Sequence, residues 1–469
     1  MTTSNARLLS LGAAFLAFPL VAASPALPET FDLAAIDACL AAQAEAMHPA
    51  GLSVALVKDG ELVLARGYGS RAPELPVETN TLFAIGSVTK QFTCASVLLL
   101  AEDGKLSVHD PVAKYYPHLT RAEDITLVDL MRHTSGYSDY YPLDFVDRRM
   151  QTAIDPDELL RRYAGGPLDF EPGTKWSYSN TGYILLGRVV EKVSGENFGD
   201  FLNRRILKPL GLKNTFYELD PKDSRIARGY VTFALGPLEP NSPEASGWIG
   251  AAGGIYSTPS DLAAWNGALI SGGVLRPESY ALMTSPGQLK GGKLTDYGCG
   301  LAVRVQEGRP VLSHSGAVSG FNAWNAVIPS LRCSLSMTCS KEGGLGALPP
   351  KILALLLREP ETLSEIPEIK GPAALEKVKS LFRSYQQGRV DRTQLSEEFN
   401  HFLTKERLAG AAQRLKPFGS PRQAEVLRRY ERGGMEVSVI RLAFRKGTLR
   451  VLMYRMPDGS IEQFFVSEE

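Results

Sequence analysis

Ser87-Val88-Thr89-Lys90 decides how this chain reads, taken with Tyr178-Ser179-Asn180 and His314-Ser315-Gly316 further along. A Ser and a Lys three residues apart lie on one face of a helix, one turn from each other. A helix opening at Ser87 also sets the hydroxyl at its positive end, where unpaired backbone N–H groups can hold a developing oxyanion. Lys90 then points back toward Ser87 and can take or shuttle its proton. Alone, the tetrapeptide reads more simply as an N-cap Ser with a solvated Lys. The other two boxes, in this order, turn it into a nucleophile site.

The surroundings agree with a buried nucleophile. Residues 88–102 form a nearly all-apolar helical stretch closed by Asp103-Gly104, the pattern of a helix at the centre of a molecule. Before it come a helical segment at 31–47 and two strand-like runs, 51–58 and 61–68, joined by Asp59-Gly60, a hairpin turn signal. From 106 to about 248 the pattern is helical and loop-rich, with helices expected at 126–132, 156–163, 182–193 and 198–206. Thr258-Pro259 opens another helix. Strands return at 300–305, 311–313, 322–329 and 333–340, and a helix follows at 348–357. The two strand groups most simply form one antiparallel sheet, with the helical insert as a second lobe and the site in the cleft between them.

Residues 359–371 are rich in Pro and Glu and read as a linker. Beyond them two helices, 375–387 and 395–415, precede strands at 423–432, 436–445, 448–455 and 461–466, with Gly433-Gly434, Lys446-Gly447 and Asp458-Gly459 as turns. This is a small α+β unit over 372–469 without a catalytic cluster of its own. From Gly371 onward it carries 18 Lys and Arg against 12 Asp and Glu, a surplus read as a solvated basic face.

The whole chain has 469 residues, 44% of them hydrophobic, and its 51 basic side chains balance 51 acidic ones. That composition is globular with a sizeable core, and the zero net charge gives no reason to expect nucleic acid or an anionic membrane as partner. Arg7, the apolar run 8–22 and the small residues Val21-Ala22-Ala23 read as a signal peptide over 1–23, which places the mature protein in the periplasm or outside the cell. No other stretch approaches a transmembrane helix. The five Cys (Cys39, Cys94, Cys299, Cys333 and Cys339) form no Cys-x-x-Cys pair, and the six His are scattered, so no metal or other cofactor is expected. Most of the Cys read as small core residues.

The three boxes, with Leu130-Met131-Arg132-His133-Thr134-Ser135-Gly136, Phe170-Glu171-Pro172-Gly173 and Gly253-Gly254-Ile255-Tyr256-Ser257-Thr258 around them, resemble the serine β-lactamase-like family: class C β-lactamases, DD-peptidases, esterases and D-aminopeptidases. The resemblance covers 31–358. It implies a β-lactamase/transpeptidase-like α+β fold, an antiparallel sheet flanked by helices with an inserted helical lobe. It implies an acyl-enzyme hydrolase with Ser87 as nucleophile, Lys90 as its proton partner and Tyr178 as acid or base. It also implies that Asn180 binds the substrate amide and places Lys90, and that the N–H groups of Ser87 and Ala317, beside Gly316, form the oxyanion hole. A phenol with an ordinary pKa would need the field of Lys90 to ionise near neutrality. His133 and Ser135 read as holding a turn.

The third box departs from the β-lactamase branch, which usually has Lys where this chain has His314. An ordinary His would be partly charged at neutral pH and could hold a substrate carboxylate. The expected substrates are therefore small-molecule or peptidic esters and amides, D-amino-acid peptides among them. A class C type β-lactamase and an inactive binder of peptidoglycan fragments are the alternatives. The sequence leaves the oligomeric state open.

Overall fold

The computed structural model describes residues 32–141, 149–306, 308–357 and 366–468. The signal peptide expected at 1–23 and most of the expected linker lie outside the described residues. Helix α1, Leu33–Ala46, is capped by the Asp32 carboxylate, which accepts from the N–H groups of Ala34 and Ala35. It leads into strands β1, Gly51–Lys58, and β2, Glu61–Ala72, joined at Asp59-Gly60, where both residues have positive φ as a tight hairpin turn demands. Helix α2, Thr89–Glu102, follows a single 3-10 turn at Gly86–Val88.

The insert then supplies short helices and the long α3, Asn180–Ser194, before α4, Pro259–Ile270. Strands β3, Ala302–Gln306, β4, Arg309–Val318, β5, Phe321–Ile328, and β6, Cys333–Cys339, return the chain to the sheet, and α5, Leu348–Leu356, closes this part. The sheet has seven strands in the order Leu75–Pro76, β2, β1, β6, β5, β4, β3. β1 pairs antiparallel with β6, so the chain's first and last strands here meet at the middle of one sheet. Along the central strands alternate side chains feed two cores. Val327, Ala323 and Leu312 pack with α2, α3 and α4, while Ile328, Ala326, Leu335 and Met337 pack with α1 and α5.

α2 lies in the first of these cores, between sheet and helical lobe, and 12 of its 14 residues are buried. Polar ties fix its rotation as well as its depth. Gln91 Oε1 accepts from Trp265 Nε1 of α4 at 2.9 Å and from Asn325 Nδ2 of β5 at 3.3 Å. Thr93 Oγ1 donates to Ala251 O at 2.7 Å, and Thr89 Oγ1 accepts from Ile255 N at 3.2 Å. A helix held by hydrogen bonds on several sides presents Ser87 and Lys90 in one orientation.

The C-terminal part has helices α6, Ala374–Gln386, α7, Glu397–Phe402, and α8, Lys405–Leu415, over strands β7, Gln423–Arg432, β8, Met435–Ala443, β9, Thr448–Arg455, and β10, Ile461–Glu468. The strands form a separate antiparallel meander in sequence order. The single helix expected over 395–415 is two helices, because the Thr404 hydroxyl accepts from Arg407 N and starts a new one. The helix Pro277–Thr284 was not expected from the sequence. All five Cys are buried and none is in a disulfide. Among the described residues no helix is long and apolar enough to cross a membrane.

Candidate active site

Ser87 sits in the 3-10 turn that opens α2, and Lys90 projects from the first turn of that helix. Lys90 is fully buried, with 0% exposure. Its Nζ lies 3.0 Å from Ser87 Oγ, 2.7 Å from Asn180 Oδ1 and 2.6 Å from Ala252 O. Burial pushes its pKa well below that of an ordinary amine, against the opposing pull of Asp139, and Arg432 adds to the lowering. A neutral amine has two N–H donors and one lone pair. Asn180 Oδ1 and Ala252 O can only accept, so each takes one N–H of the amine, and in the neutral form that burial favours the lone pair is left for the Ser87 hydroxyl.

Asn180, the first residue of α3, is itself held. The Asp139 carboxylate accepts from its backbone N at 3.0 Å and from its Nδ2 at 2.9 Å. The N-cap of α3 is Ser179, whose hydroxyl accepts from Gly182 N. Asp139 is invisible to motif reading: it follows the 130–136 segment in sequence, and its role arises from the fold bringing that segment under α3.

Tyr178 lies near Ser87, whose hydroxyl bears on the acidity of its phenol. The Lys90 amine lies 4.9 Å from its ring centroid. Burial raises the phenol's pKa, and the nearby Ser87 hydroxyl and Arg432 only partly offset this. Desolvation thus works against the ionisation near neutrality for which the phenol would need the field of Lys90.

Behind Tyr178 stands His133, with ring centroids 4.3 Å apart. His133 has left-handed backbone, φ +59°. Its Nδ1 accepts from Ser179 N at 3.0 Å, and its carbonyl accepts from Ser177 N at 3.0 Å. It clamps both sides of Tyr178, and burial holds its ring neutral. Ser135 Oγ accepts from Tyr137 N at 3.3 Å within the same turn.

β4 forms the opposite wall, with the third box at its middle. Its ladder with β3 ends at Ser313, which is paired with Ala302, so Ser315 to Val318 run past β3 toward the Ser87 turn. Two glycines allow that approach. A Cβ on Gly316 would lie 1.9 Å from Ile85 O, and one on Gly86, whose φ is +50°, would lie 2.8 Å from Ala317 N. The backbones of Ser87 and Ala317 are thus neighbours, as a two-donor oxyanion site requires.

His314 departs from expectation. It is 8% exposed. Its Nδ1 lies 2.6 Å from Ser315 O and its Nε2 lies 2.8 Å from Tyr297 OH. The carbonyl can only accept, so Nδ1 carries the proton and Nε2 accepts from the tyrosine. Burial, with help from Lys90 and Arg432, pushes the pKa down to about 3. The partial charge expected of an ordinary His is therefore absent from this buried imidazole at neutral pH.

The C-terminal meander also reaches the site, which the sequence did not signal. The β7–β8 hairpin lies against the Tyr178 segment. Glu431 Oε1 accepts from Ser177 Oγ at 3.0 Å and from Gly434 N at 2.7 Å, and the Arg432 guanidinium lies 5.9 Å from the Tyr178 ring centroid. Elsewhere the two parts are joined by Leu235 N donating to Val466 O at 3.2 Å and Arg414 Nε donating to Ala234 O at 3.1 Å. Among the described residues no cluster of three or more His, Cys, Asp or Glu is placed to hold a metal ion.

The sequence profile of the Beta-lactamase family matches residues 36–357. The chain belongs to that family. Within this β-lactamase family it is 31% identical over 276 residues to penicillin-binding protein 4* of Bacillus subtilis, across 55% of this chain and 60% of that protein. It is 28% identical to the D-aminopeptidase of Brucella anthropi, across 73% of this chain and 66% of the relative. The chain thus spans roughly two thirds or less of the length of each of these relatives. The octameric penicillin-binding protein homologue of Pyrococcus abyssi has the same fold, with a TM-score of 0.61 at 24% identity over 94% of this chain and 96% of that one. The chain is a hydrolase of the β-lactamase family, related to penicillin-binding proteins and D-amino-acid amidases, and its buried Ser-x-x-Lys box has the geometry that chemistry needs.

Proposed function

We propose that this is an exported serine hydrolase that cleaves esters or amides through an acyl-enzyme at Ser87, with D-amino-acid peptides and amides among its substrates. The observation that carries this reading is the buried Lys90 amine, held by the acceptors Asn180 Oδ1 and Ala252 O with its Nζ 3.0 Å from Ser87 Oγ. In this reading Lys90 accepts the Ser87 proton as the oxygen attacks the substrate carbonyl. The N–H groups of Ser87 and Ala317 hold the oxyanion, a contribution of about 3 kcal/mol for such a donor. Tyr178, beside Ser87 and kept protonated by burial, donates to the leaving group. Water then attacks the acyl carbon, with the Tyr178–Lys90 pair taking its proton and Ser87 regaining its own. Asn180 retains one Nδ2 hydrogen beyond the bond to Asp139 for a substrate carbonyl. His314, with Gly316 and Ala317, shapes the strand edge on which the substrate lies.

The D-aminopeptidase likeness supports D-configured substrates. The neutral His314, where β-lactamases of the family usually carry Lys, favours this reading over a class C β-lactamase. A panel of simple esters, D-amino-acid amides, their L-enantiomers and a chromogenic cephalosporin tests it. Turnover of esters and D-amides above the L-forms and the cephalosporin is the expected result; efficient cephalosporin turnover alone would replace the assignment.

The pH profile has a required sign. A base whose pKa is lowered is active above that pKa and is lost as pH falls through it. kcat/KM should therefore drop on the acid side as Lys90 is protonated, and should hold on the alkaline side because burial raises the Tyr178 phenol. With the His314 pKa near 3, His314→Gln should not displace the acid limb. A limb that moves or disappears in that variant would assign it to the imidazole. The proposed export predicts a mature N-terminus at Ser24, which intact-mass measurement of the secreted protein reads directly.

A further inference from the structure

The strand that carries the third box ends in a turn held from outside the sheet. Val318 and Phe321 are the last ladder pair of β4 and β5, and Ser319-Gly320 between them make the turn, with Gly320 at φ +80°. From Ser315 to Val318, β4 has no β3 partner, so within the sheet β5 alone holds this end of it. The buried Ser319 peptide is gripped on both sides by one segment. Its N–H donates to Glu244 Oε1 at 3.0 Å, and its carbonyl accepts from Asn241 Nδ2 at 2.8 Å. The Asn241 side chain also packs flat on the turn, where a Cβ on Gly320 would lie 2.7 Å from Asn241 Cβ. Ala317, whose N–H is the second oxyanion donor in the reading above, is two residues from this grip.

Glu244 also ties this turn to the opposite wall of the cleft. Its Oε1 accepts from Tyr141 OH as well, and the Tyr141 backbone N–H donates to Asp139 Oδ1 at 3.1 Å. The same Asp139 oxygen holds Asn180 at its backbone and side-chain N–H groups, and Asn180 Oδ1 accepts from Lys90. An unbroken chain of hydrogen bonds thus runs from the Lys90 amine to the turn beyond Ala317. Glu244 and Tyr141 are both buried, where each bond is strengthened and the loss of one member leaves its partners unpaired at a cost. None of the catalytic steps gives Glu244 a part.

We propose that Glu244 is a positioning residue: it fixes the β4–β5 turn so that the Ala317 N–H stays aimed at the place the substrate oxyanion takes, across the cleft from Lys90. A donor aimed in advance at developing charge is worth more than one that must reorient. This rests on the acyl-enzyme reading above and adds to it what holds the oxyanion site in shape. Glu244 touches no substrate and takes no proton in the reaction.

The test uses the full chain and two substrates that differ at one atom: the methyl ester of benzoylglycine and its thionoester, with sulfur in place of the carbonyl oxygen. Sulfur is larger and a weaker acceptor, so an oxyanion site built for oxygen favours the ester, and in wild type the ester should have the higher kcat/KM. Glu244→Ala should lower the ester-to-thionoester ratio about tenfold, chiefly through kcat of the ester, because the oxyanion exists only beyond the ground state. Glu244→Gln, which keeps an oxygen for the Ser319 N–H, should retain most of the ratio. A merely structural role would slow both substrates alike and leave the ratio in place. Asn241→Ala, which removes the hold on the other side of the same peptide, should lower the ratio in the same direction, and it carries the test if Glu244→Ala does not fold. An unchanged ratio in folded Glu244→Ala, or in Asn241→Ala where that variant stands in for it, overturns the proposal, as does a wild type that does not distinguish the two substrates. Fluorophosphonate labelling separates the two levels. An unlabelled wild type would remove the acyl-enzyme reading and this inference with it, whereas a labelled wild type with an unchanged ratio in the variants removes only the role of Glu244.

Discussion

Ser87→Ala should reduce turnover of every substrate by about a thousandfold or more while leaving the thermal transition close to wild type. The change removes one oxygen from a short 3-10 turn and vacates a single partner of Lys90, whose bonds to Asn180 and Ala252 remain. Lys90→Ala should cost nearly as much, and the double variant little more than either single change, because a nucleophile and its base act as one unit. Lys90 is also deep in the core, so its removal leaves a cavity and the acceptors of Asn180 and Ala252 without a donor. Circular dichroism is needed beside the kinetics for that variant. Stopped-assay rates of the three variants decide the matter. Losses that multiply across the two sites would mean that Ser87 and Lys90 work independently and that another group is the base.

Glu436→Ala should be the most destabilising single change in the C-terminal meander. Glu436 and Arg455 are 0% and 3% exposed at the side chain. The Glu436 carboxylate accepts from both Arg455 and Arg429, and Arg455 also donates to Pro372 O at 2.6 Å. Removing the carboxylate strands a buried guanidinium, a cost of about 3–5 kcal/mol. Glu436 is paired across the ladder with Glu431, so loosening of the hairpin should also reach Ser177 and the Tyr178 wall. Differential scanning calorimetry should show an early transition. Full retention of the melting profile would mean that solvent or a local rearrangement takes over the role of the carboxylate.

The parts of this site that the sequence carries openly are those in which chemistry and local structure coincide. Ser87 and Lys90 sit at helical spacing beside an apolar helix, and the Gly316 box sits on a strand, so period and motif point the same way. The sheet was legible for a similar reason: 51–58 and 333–340 alternate or run apolar, and their pairing at the sheet centre follows from joining two strand groups. Boundaries were less legible. β4 extends from Arg309 to Val318, far beyond the three residues its apolar pattern shows, because its polar end is stabilised by the cleft it borders. The break between α7 and α8 came from one hydroxyl cap at Thr404. The charge of His314 was not legible, because burial and a Tyr297 partner are properties of the packed site. Asp139, Ala252, Tyr297 and Arg432 join the site through contacts between distant segments. Nothing within reach of a motif marks them, and the basic surplus of the C-terminal unit pointed only to a solvated face.

The proposed chemistry stands on a covalent intermediate at one oxygen. Wild-type protein treated with a fluorophosphonate, digested and sequenced by mass spectrometry should carry a single adduct, on the peptide containing Ser87 and at that residue. An adduct at any other residue, or none from folded protein, would contradict it.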